Sequence, residues 1–418
     1  MRDPPTKAFR ALGIYNFRLW TAGGLISNIG TWMQRVAQDW IVLTQLTHHN
    51  ATALGIVAGL QFAPQLLLLP WSGLMADRFN KRKLLMLTQA SMGVLATALG
   101  ILTISGYVRL GHVYVFAFFF GSVAALDAPV RQTFAGELVG DEYLPNAVAL
   151  NSTSFVACQM IGPAVAGLVI AKIGIGWAFL SNGLSFGAVL LSMVLLRVHE
   201  LKTIARASRA PDGFLEGLRY VWARPDLRSI LIMLVLVGIF GMNFPIFIST
   251  MAVNVFHTDA RGFGLLSSMM AIGTVSGALM AARRDKPKFG TLCLGTVVFG
   301  IGCVLAAFSP GYWWFATALS LIGAAAITFM TATNSMIQLS TEPAMRGRVV
   351  AMGMGVMLGG TAMGAPIAGW VANHFGPRWS LGIAAVSAFL AALVAALMMA
   401  KLGSAPPAHV ESTRSQHR

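Results

Sequence analysis

Charged side chains are scarce in this sequence. Asp, Glu, Lys and Arg together make up 11% of its 418 residues, whereas a soluble globular domain carries about 25%. The stretches of more than 20 residues that contain none of the four are 40–76, 84–108, 143–171, 173–196, 229–258, 262–282, 289–341, 349–377 and 380–400. A membrane-spanning helix needs about 20 mostly apolar residues. The composition therefore excludes a soluble protein and predicts a polytopic membrane protein.

Cysteine and catalytic motifs are also scarce. The three cysteines, Cys158, Cys293 and Cys303, lie in apolar stretches, where they behave as small apolar residues and give no disulfide framework. The sequence has no phosphate-binding glycine loop, no cluster of metal ligands and no nucleophile beside a base. We therefore expect no enzymatic activity, no cofactor and no metal.

The apolar stretches divide into twelve predicted spans. The turns "LTHHN" (46–50) and "FSPGY" (308–312) split the two stretches that are long enough for two helices. The predicted spans are 17–45, 52–76, 83–107, 112–136, 145–171, 175–196, 228–255, 262–283, 289–308, 312–338, 347–373 and 378–401.

The longest connection divides the spans into six and six. Residues 1–196 are predicted to form an N-terminal six-helix bundle and residues 228–401 a C-terminal one. Between them, 197–227 is a cytoplasmic linker, and 402–418 is a cytoplasmic tail that we expect to be disordered.

The linker contains a predicted amphipathic helix. Its apolar residues fall on one face: Phe214, Leu215, Leu218, Val221 and Trp222. Such a basic amphipathic helix either lies at the cytoplasmic membrane surface or packs on the protein as a plain linker.

The net charge of +15 is unevenly distributed. If both termini lie on one side, that side carries 25 of the 30 Lys and Arg residues, the other side carries four, and Arg35 lies inside helix 1. Positive residues stay on the cytoplasmic side, so both termini are predicted to be cytoplasmic. The basicity then reflects topology and attraction to anionic membrane lipids, and we expect no nucleic-acid partner.

Two segments at equivalent places in the halves align without gaps. "GPAVAGLVIAKIGIGW" (162–177) and "GAPIAGWVANHFGPRW" (364–379) match at six positions, and "SGLMADR" at the end of helix 2 pairs with "SGALMAARR" at the end of helix 8. Repeated halves are typical of secondary transporters, whose substrate site lies between the repeats. The predicted fold class is an all-α membrane protein with twelve transmembrane helices in two pseudo-symmetric six-helix bundles.

The stretch "GLMADRFNKRK" (73–83) between helices 2 and 3 resembles the signature of the major facilitator superfamily. The residues that would form its conformational latch are Gly73, Asp77, Arg78, Lys81 and Arg82. The resemblance implies that Asp77 meets the start of helix 11, between Arg346 and Arg348, and stabilises the outward-open state. The alternative is a positive-inside anchor with no switching role.

Three further stretches resemble the enterobactin-exporter-like branch of drug and siderophore efflux proteins. They are "NFRLWTAGGLISNIGTWMQRVAQDWIVLTQLT", "LDAPVRQTF", and "LPNAVALNS" with "IGPAVAG". The resemblance implies a proton-coupled exporter (antiporter) of amphipathic small molecules such as siderophores or drugs. It also implies alternating access, a bacterial inner membrane and function as a monomer. The alternatives are a proton-coupled importer or metabolite or lysolipid carrier on the same fold, or a non-transporting receptor or membrane-embedded enzyme.

Two acid–arginine pairs lie within the predicted spans. Arg35 and Asp39 are four residues apart in helix 1, and Asp127 and Arg131 are four apart in helix 4, so each pair shares a helix face. Desolvation raises the pKa of a carboxyl and a neighbouring arginine lowers it. Because a conformational change can switch between these two effects, both pairs are candidates for proton coupling. The alternative is a pair of structural salt bridges. The central helix-4 arginine that is usual in drug antiporters is absent.

Two more sets of residues are candidates for function. Gly162, Pro163 and Gly167 in helix 5 resemble an exporter signature, with ordinary small-residue packing as the alternative. The substrate-cavity candidates, for several of which a bond to a neighbouring helix is the alternative, are Asn28, Trp32, Gln38, Gln61, Gln65, Asn243, Asn334 and Gln338.

Overall fold

Helices form the regular secondary structure of the computed structural model, which describes residues 7–68, 71–72, 75, 78–202, 213–282 and 288–403. The main α-helices are α1 (Tyr15–Ile41), α2 (Ala51–Leu67), α3 (Lys81–Ile104), α4 (Leu110–Val139), α5 (Leu144–Ile173), α6 (Ile175–Val194), α7 (Gly213–Ala223), α8 (Pro225–Leu236), α9 (Phe244–Thr250), α10 (Ala260–Ala282), α11 (Phe289–Ala307), α12 (Tyr312–Ser340), α13 (Pro343–His374) and α14 (Pro377–Gly403). Short π-helical turns extend α1 (Val42–Leu46), α8 (Val237–Gly241) and α9 (Met251–Val255).

Local sequence explains where several helices begin and end. Asn50 and Asn80 precede α2 and α3, and each side-chain oxygen accepts a first-turn backbone N–H, at 3.1 and 3.0 Å. Gly174 separates α5 from α6, and Gly376 separates α13 from α14. Both have a φ of +101°, a left-handed conformation that favours glycine. The aligned segments therefore repeat a backbone conformation as well as a sequence.

Ten segments of the described chain are long and apolar enough to cross a membrane. They are Lys81–Ile104, Leu110–Val139, Leu144–Ile173, Ile175–Val194, Pro225–Val255, Ala260–Ala281, Phe289–Ala307, Tyr312–Ser340, Met345–His374 and Pro377–Lys401. These correspond to the third to twelfth predicted spans. The chain is therefore an all-helical membrane protein.

Helices α1 and α2 differ from these ten membrane-spanning segments in composition or in length. Helix α2 is apolar but has 17 residues, and α1 has 27 residues but is polar. Four polar side chains of α1 are nevertheless buried, namely Asn16, Ser27, Gln34 and Gln38. The polarity of α1 thus faces other helices of the protein.

The segment Pro225–Val255 contains a break that the sequence analysis did not predict. At Met242 and Asn243 the backbone leaves the helical conformation. Pro245 follows in the first turn of α9, where its missing N–H does no harm. The predicted single span is thus two consecutive helices.

The two halves of the chain pack in the same pattern. In the first half α1 packs on α5 and α6, α3 packs on α4 and α6, and α2 packs on α4. In the second half the segment Pro225–Val255 packs on α13 and α14, α11 packs on α12 and α14, and α10 packs on α12. Between the halves, α2 packs on α13 and α5 packs on α10.

Buried apolar side chains indicate where the halves meet. We call the end at which α1 begins and α14 ends the terminal end. Toward the opposite end, one cluster contains residues of both halves, among them Ile41, Phe179, Phe247, Phe263 and Phe315. At the terminal end, one cluster belongs to the first half (Phe17, Trp20 and Phe134) and another to the second (Ile230, Phe329 and Met398). Among the described residues, the halves therefore share an apolar core only toward the opposite end.

The predicted linker helix is present as α7 and packs on the protein. Val221 is buried in the terminal-end cluster of the second half, whereas Trp222 is 57% exposed. The side chains of Phe214 and Leu215, and the tail beyond residue 403, lie outside the described residues.

Candidate functional site

The polar strip of α1 divides between two faces. The Gln34 side-chain oxygen accepts a hydrogen bond from Asn182 Nδ2 of α6 at 2.6 Å, and Ser185 Oγ donates to Asn182 Oδ1 at 3.0 Å. All three residues are buried. This face of α1 is therefore joined to α6 by buried hydrogen bonds within the first half.

The second face carries Arg35 and Asp39, which form no ion pair. The guanidinium carbon of Arg35 lies 4.7 Å from the centre of the Trp32 ring and 5.8 Å from that of Phe62 on α2. The Nε of Arg35 is sealed from solvent and has no hydrogen-bond partner among the described residues. Asp39 is half-buried. The structure thus brings the predicted pair onto one face but turns the arginine toward aromatic rings.

The second predicted pair does form, inside a larger network. Arg131 Nε lies 2.9 Å from Asp127 Oδ2. Asp127 Oδ1 accepts from Thr88 Oγ1 at 2.6 Å and from Gln89 Nε2 at 2.7 Å, both on α3. Asp127 is 4% exposed, so three donors satisfy a carboxylate that would otherwise be costly to bury.

The helix-5 motif lies where three helices meet. A Cβ at Gly162 would lie 3.1 Å from Ile29 O of α1, and a Cβ at Gly167 would lie 2.8 Å from Ala260 O of α10. Pro163 is buried between these two glycines. Gly162 thus permits close packing within the first half, and Gly167 permits it between the halves.

The motif repeats in α13 with the same division of contacts. A Cβ at Gly364 would lie 3.0 Å from Asn243 Nδ2, at the break in the segment Pro225–Val255. A Cβ at Gly369 would lie 3.2 Å from Gly55 Cα of α2. Each motif therefore has one glycine against its own half and one against the other half.

The latch prediction can be followed only in part, because Gly73 and Asp77 lie outside the described residues. Arg78 is exposed. Lys81 Nζ pairs with Glu137 Oε1 at 2.8 Å, and Arg82 Nε donates to Met193 O at 2.9 Å. Both basic residues thus bind groups of their own half.

The start of α13, which the latch would engage, has a partner in the linker. Arg348 pairs with Glu216 of α7 at 2.7 Å. Glu216 is 61% exposed on its side chain. In this conformation Arg348 is bound to the linker helix α7.

The eight substrate-cavity candidates differ in their exposure to solvent. Asn334 and Gln338 of α12 are exposed, and Gln338 Nε2 donates to Asn334 Oδ1 at 3.2 Å. The half-buried candidates are Asn28, Trp32 and Gln65, and the buried candidates are Gln38, Gln61 and Asn243. Asn243 Nδ2 donates to Ile239 O at 2.6 Å, while its Oδ1 has no partner within the described part of the chain.

Sequence reasoning missed four residues of these sites. Thr88 and Gln89 are adjacent polar residues in an otherwise apolar stretch, and Asn182 is an amide in another, so polarity inside a span could have identified them. Phe62 gave no such signal, because an aromatic residue is ordinary in a span. Across the described residues, no group of three or more His, Cys, Asp or Glu is placed to hold a metal ion.

A cavity of about 550 Å³ lies at the opposite end, where α5 meets α10. Its walls include Trp40, Ile170 and Arg261, and therefore belong to both halves. Beside it the Trp40 ring stacks on Phe263 of α10, with ring centres 5.8 Å apart. The halves are thus joined here by aromatic as well as glycine contacts.

Comparisons with known proteins identify relatives of this chain. The family model described as "Transmembrane secretion effector" matches residues 6–416. The chain is 27% identical to the staphyloferrin A transporter of Staphylococcus aureus, over 78% of this chain and 81% of that protein. It is 25% identical to the multidrug efflux pump Tap of Mycolicibacterium fortuitum, over 87% and 93%. It is 24% identical to the enterobactin exporter EntS of Citrobacter koseri, over 87% and 86%.

A solved structure shares the fold. It is that of a bacterial homolog to the human lysosomal transporter Spinster, in an inward-facing and unoccupied conformation. The TM-score is 0.74 at 15% sequence identity, and the match covers 92% of this chain and 96% of that one.

Proposed function

This chain belongs to the transmembrane secretion effector family of the major facilitator superfamily, and we propose that it is a proton-coupled exporter of amphipathic small molecules. It is a transporter of the siderophore and drug type, as its relatives are. Two of those relatives are named as an efflux pump and an exporter, and this supports export for the present chain.

The proposed architecture is twelve spans in two six-helix bundles, 1–196 and 228–401, joined by the linker 197–227. The equivalent helix contacts within each half support it. The two contacts between the halves, α2 with α13 and α5 with α10, support it as well, because each joins the same pair of equivalent helices. A pseudo-two-fold axis relates the halves if α2 corresponds to α10 and α5 to α13. Alternating access is then a rocking of one bundle against the other. The chain acts as a monomer.

The observation that carries the proposal is the apolar core that the halves share, among the described residues, only toward the opposite end. The 25 basic residues on the side of the termini favour a cytoplasmic location for the terminal end. The structure then corresponds to a carrier open to the cytoplasm, the state in which an exporter loads its substrate. The exposed amides of Asn334 and Gln338, which lipid would leave unsatisfied, are suited to bind polar groups of that substrate. In the outward-open state, Asp77 latches onto the start of α13.

Of the two candidate acids, we assign the proton to Asp39. Asp127 already accepts hydrogen bonds from Thr88, Gln89 and Arg131, and a proton on this carboxyl would compete with these donors. Among the described residues, the Asp39 carboxyl accepts no side-chain hydrogen bond and forms no ion pair within contact distance, so its protonation breaks no such bond. Exchange follows when Asp39 takes up a proton from outside and releases it to the cytoplasm.

Purified protein in liposomes with an imposed proton gradient tests this assignment. Catecholate and citrate-type siderophores, lipophilic cations and neutral drugs are added in turn, and a pH-sensitive dye reports collapse of the gradient. We expect one class to collapse the gradient in the wild type and in Asp127→Asn, and to fail in Asp39→Asn. Size-exclusion chromatography establishes that both variants are folded.

Two results would contradict the proposal. Collapse that is unchanged in Asp39→Asn would remove Asp39 as the proton carrier. Silence across the whole panel with folded protein would argue against an exporter of these compounds and in favour of a metabolite or lysolipid carrier.

A further inference from the structure

The two acid–arginine pairs share one spacing but differ in geometry. Arg131 lies four residues after Asp127, and the two are joined at 2.9 Å. Arg35 lies four residues before Asp39, makes no ion pair with it, and places its guanidinium against Trp32.

The order of the residues along the helix explains the difference. Side chains of an α-helix lean toward its N-terminus. A long arginine that follows its acid therefore reaches back to it, as Arg131 does. Arg35 precedes its acid, so it leans toward Trp32, one turn nearer the N-terminus, and away from Asp39. The acid-first order is also the more favourable one on an isolated helix, where it agrees with the helix dipole.

Aromatic contacts from three helices reinforce this direction. Phe62 of α2 lies on the guanidinium at 5.8 Å, and Phe155 of α5 packs edge-on against Trp32 with ring centres 5.7 Å apart. A guanidinium over an aromatic face is attracted by the ring quadrupole, more strongly where water is excluded. The sealed Nε of Arg35 indicates such exclusion.

Other ionisable groups are distant from Asp39 along the chain or absent from the elements that pack against α1. Helices α6 and α9 and the turn 42–46 carry none, and neither does α2. The ionisable residues of the remaining elements are Lys7 and Arg10 before α1, Tyr15 and Arg18 on α1, His112, Tyr114, Asp127, Arg131 and Glu137 on α4, Cys158 and Lys172 on α5, and Arg261 on α10, with Asp259 just before it. Asp259 and Arg261 line the cavity beside Trp40. Arg35 alone is one helical turn from Asp39.

We propose that Trp32 and Phe62 are positioning residues that hold the Arg35 guanidinium away from Asp39 and so keep this carboxyl free to exchange a proton. The inference rests on the proposed proton-coupled transport. An arginine that paired with Asp39 would neutralise it in place of the proton. The empty carrier would then change conformation without a proton, and exchange would lose its coupling.

Infrared titration of the Asp39 carboxyl in lipid-reconstituted protein tests the proposal without any substrate. The C=O band of the neutral acid is assigned by its loss in Asp39→Asn. In Trp32→Leu we expect its titration midpoint to fall by about one pH unit, a tenfold loss of proton affinity, because the released Arg35 favours the ionised acid. Phe62→Leu shifts it less, since this ring is farther away, and Trp32→Phe, which keeps an aromatic face, restores the wild-type midpoint.

The Arg35→Gln background supplies the matched control. Trp32→Leu has nothing to release there, so we expect no further shift. An unchanged midpoint in both single Leu variants, an equal shift in the Arg35→Gln background, or an Asp39 that never becomes neutral would each overturn the proposal. Failure of every compound to collapse the proton gradient, with the midpoint shift present, would instead refute the transport proposal and leave the positioning of Arg35 intact.

Discussion

Replacement of Gly167 by alanine tests how tightly the halves close at the opposite end. A Cβ at this position lies 2.8 Å from Ala260 O and 3.2 Å from Arg261 Cα. Across the same contact, a Cβ at Gly264 lies 2.6 Å from Pro163 O. These neighbours are backbone atoms, which cannot rotate away. Helices α5 and α10 must therefore separate by several tenths of an ångström to admit one methyl group.

The cost falls on one conformation only. Overpacking of a close contact costs about 1–3 kcal/mol, and here it applies while α5 and α10 are in contact at Gly167. The equilibrium therefore moves toward opening at the opposite end by about 5- to 150-fold.

Distances between spin labels measure this shift directly. Labels at His48 and His257, exposed positions in different halves, are introduced in a background that lacks the three native cysteines. We expect Gly167→Ala to move the distance distribution toward longer separations. Gly187→Ala is the matched control, because no atom of the described residues lies within 4 Å of a Cβ added at this helical glycine. If Gly167→Ala and Gly187→Ala give the wild-type distribution alike, the close contact of α5 with α10 does not govern the conformation.

Further predictions concern stability, measured as the free energy of unfolding in detergent. Asp127→Leu lowers it by about 3–5 kcal/mol, because it leaves Arg131 partly buried without its carboxylate; a smaller loss would mean that the arginine finds water. Asn182→Ala lowers it by about 1–3 kcal/mol, since the buried oxygen of Gln34 loses its donor, and Asn182→Asp serves as the comparison of similar shape. Glu216→Gln changes it by less than about 1 kcal/mol, because this ion pair is largely exposed; a larger effect would indicate that the pair anchors the linker to α13.

Parts of the candidate site could be predicted from sequence and parts could not. The Asp127–Arg131 pair followed from its spacing, because residues four apart on a helix are neighbours. The same rule suggested that Arg35 would pair with Asp39. Instead, the Arg35 side chain leans toward the N-terminus of the helix, and its guanidinium lies against the rings of Trp32 and Phe62.

The glycine motif gave a mixed result of the same kind. Its small residues predicted close packing, and the structure has close packing at Gly162 and Gly167. Which of them contacts its own half and which contacts the other half depends on how helices far apart in sequence are arranged. A motif on one helix carries no information about that arrangement.

The sequence by itself determined the class of protein, the third to twelfth spans and the repeat of α5 in α13. Each membrane-spanning segment must be long enough and apolar enough to cross the lipid. These properties belong to the segment itself, so the local sequence is sufficient to predict them. Only the tertiary structure decided that the halves share a core toward one end, that Thr88 and Gln89 bind Asp127, and that Phe62 lies on Arg35. Each of these joins helices distant in the chain, and their contacts depend on the packing of the whole bundle.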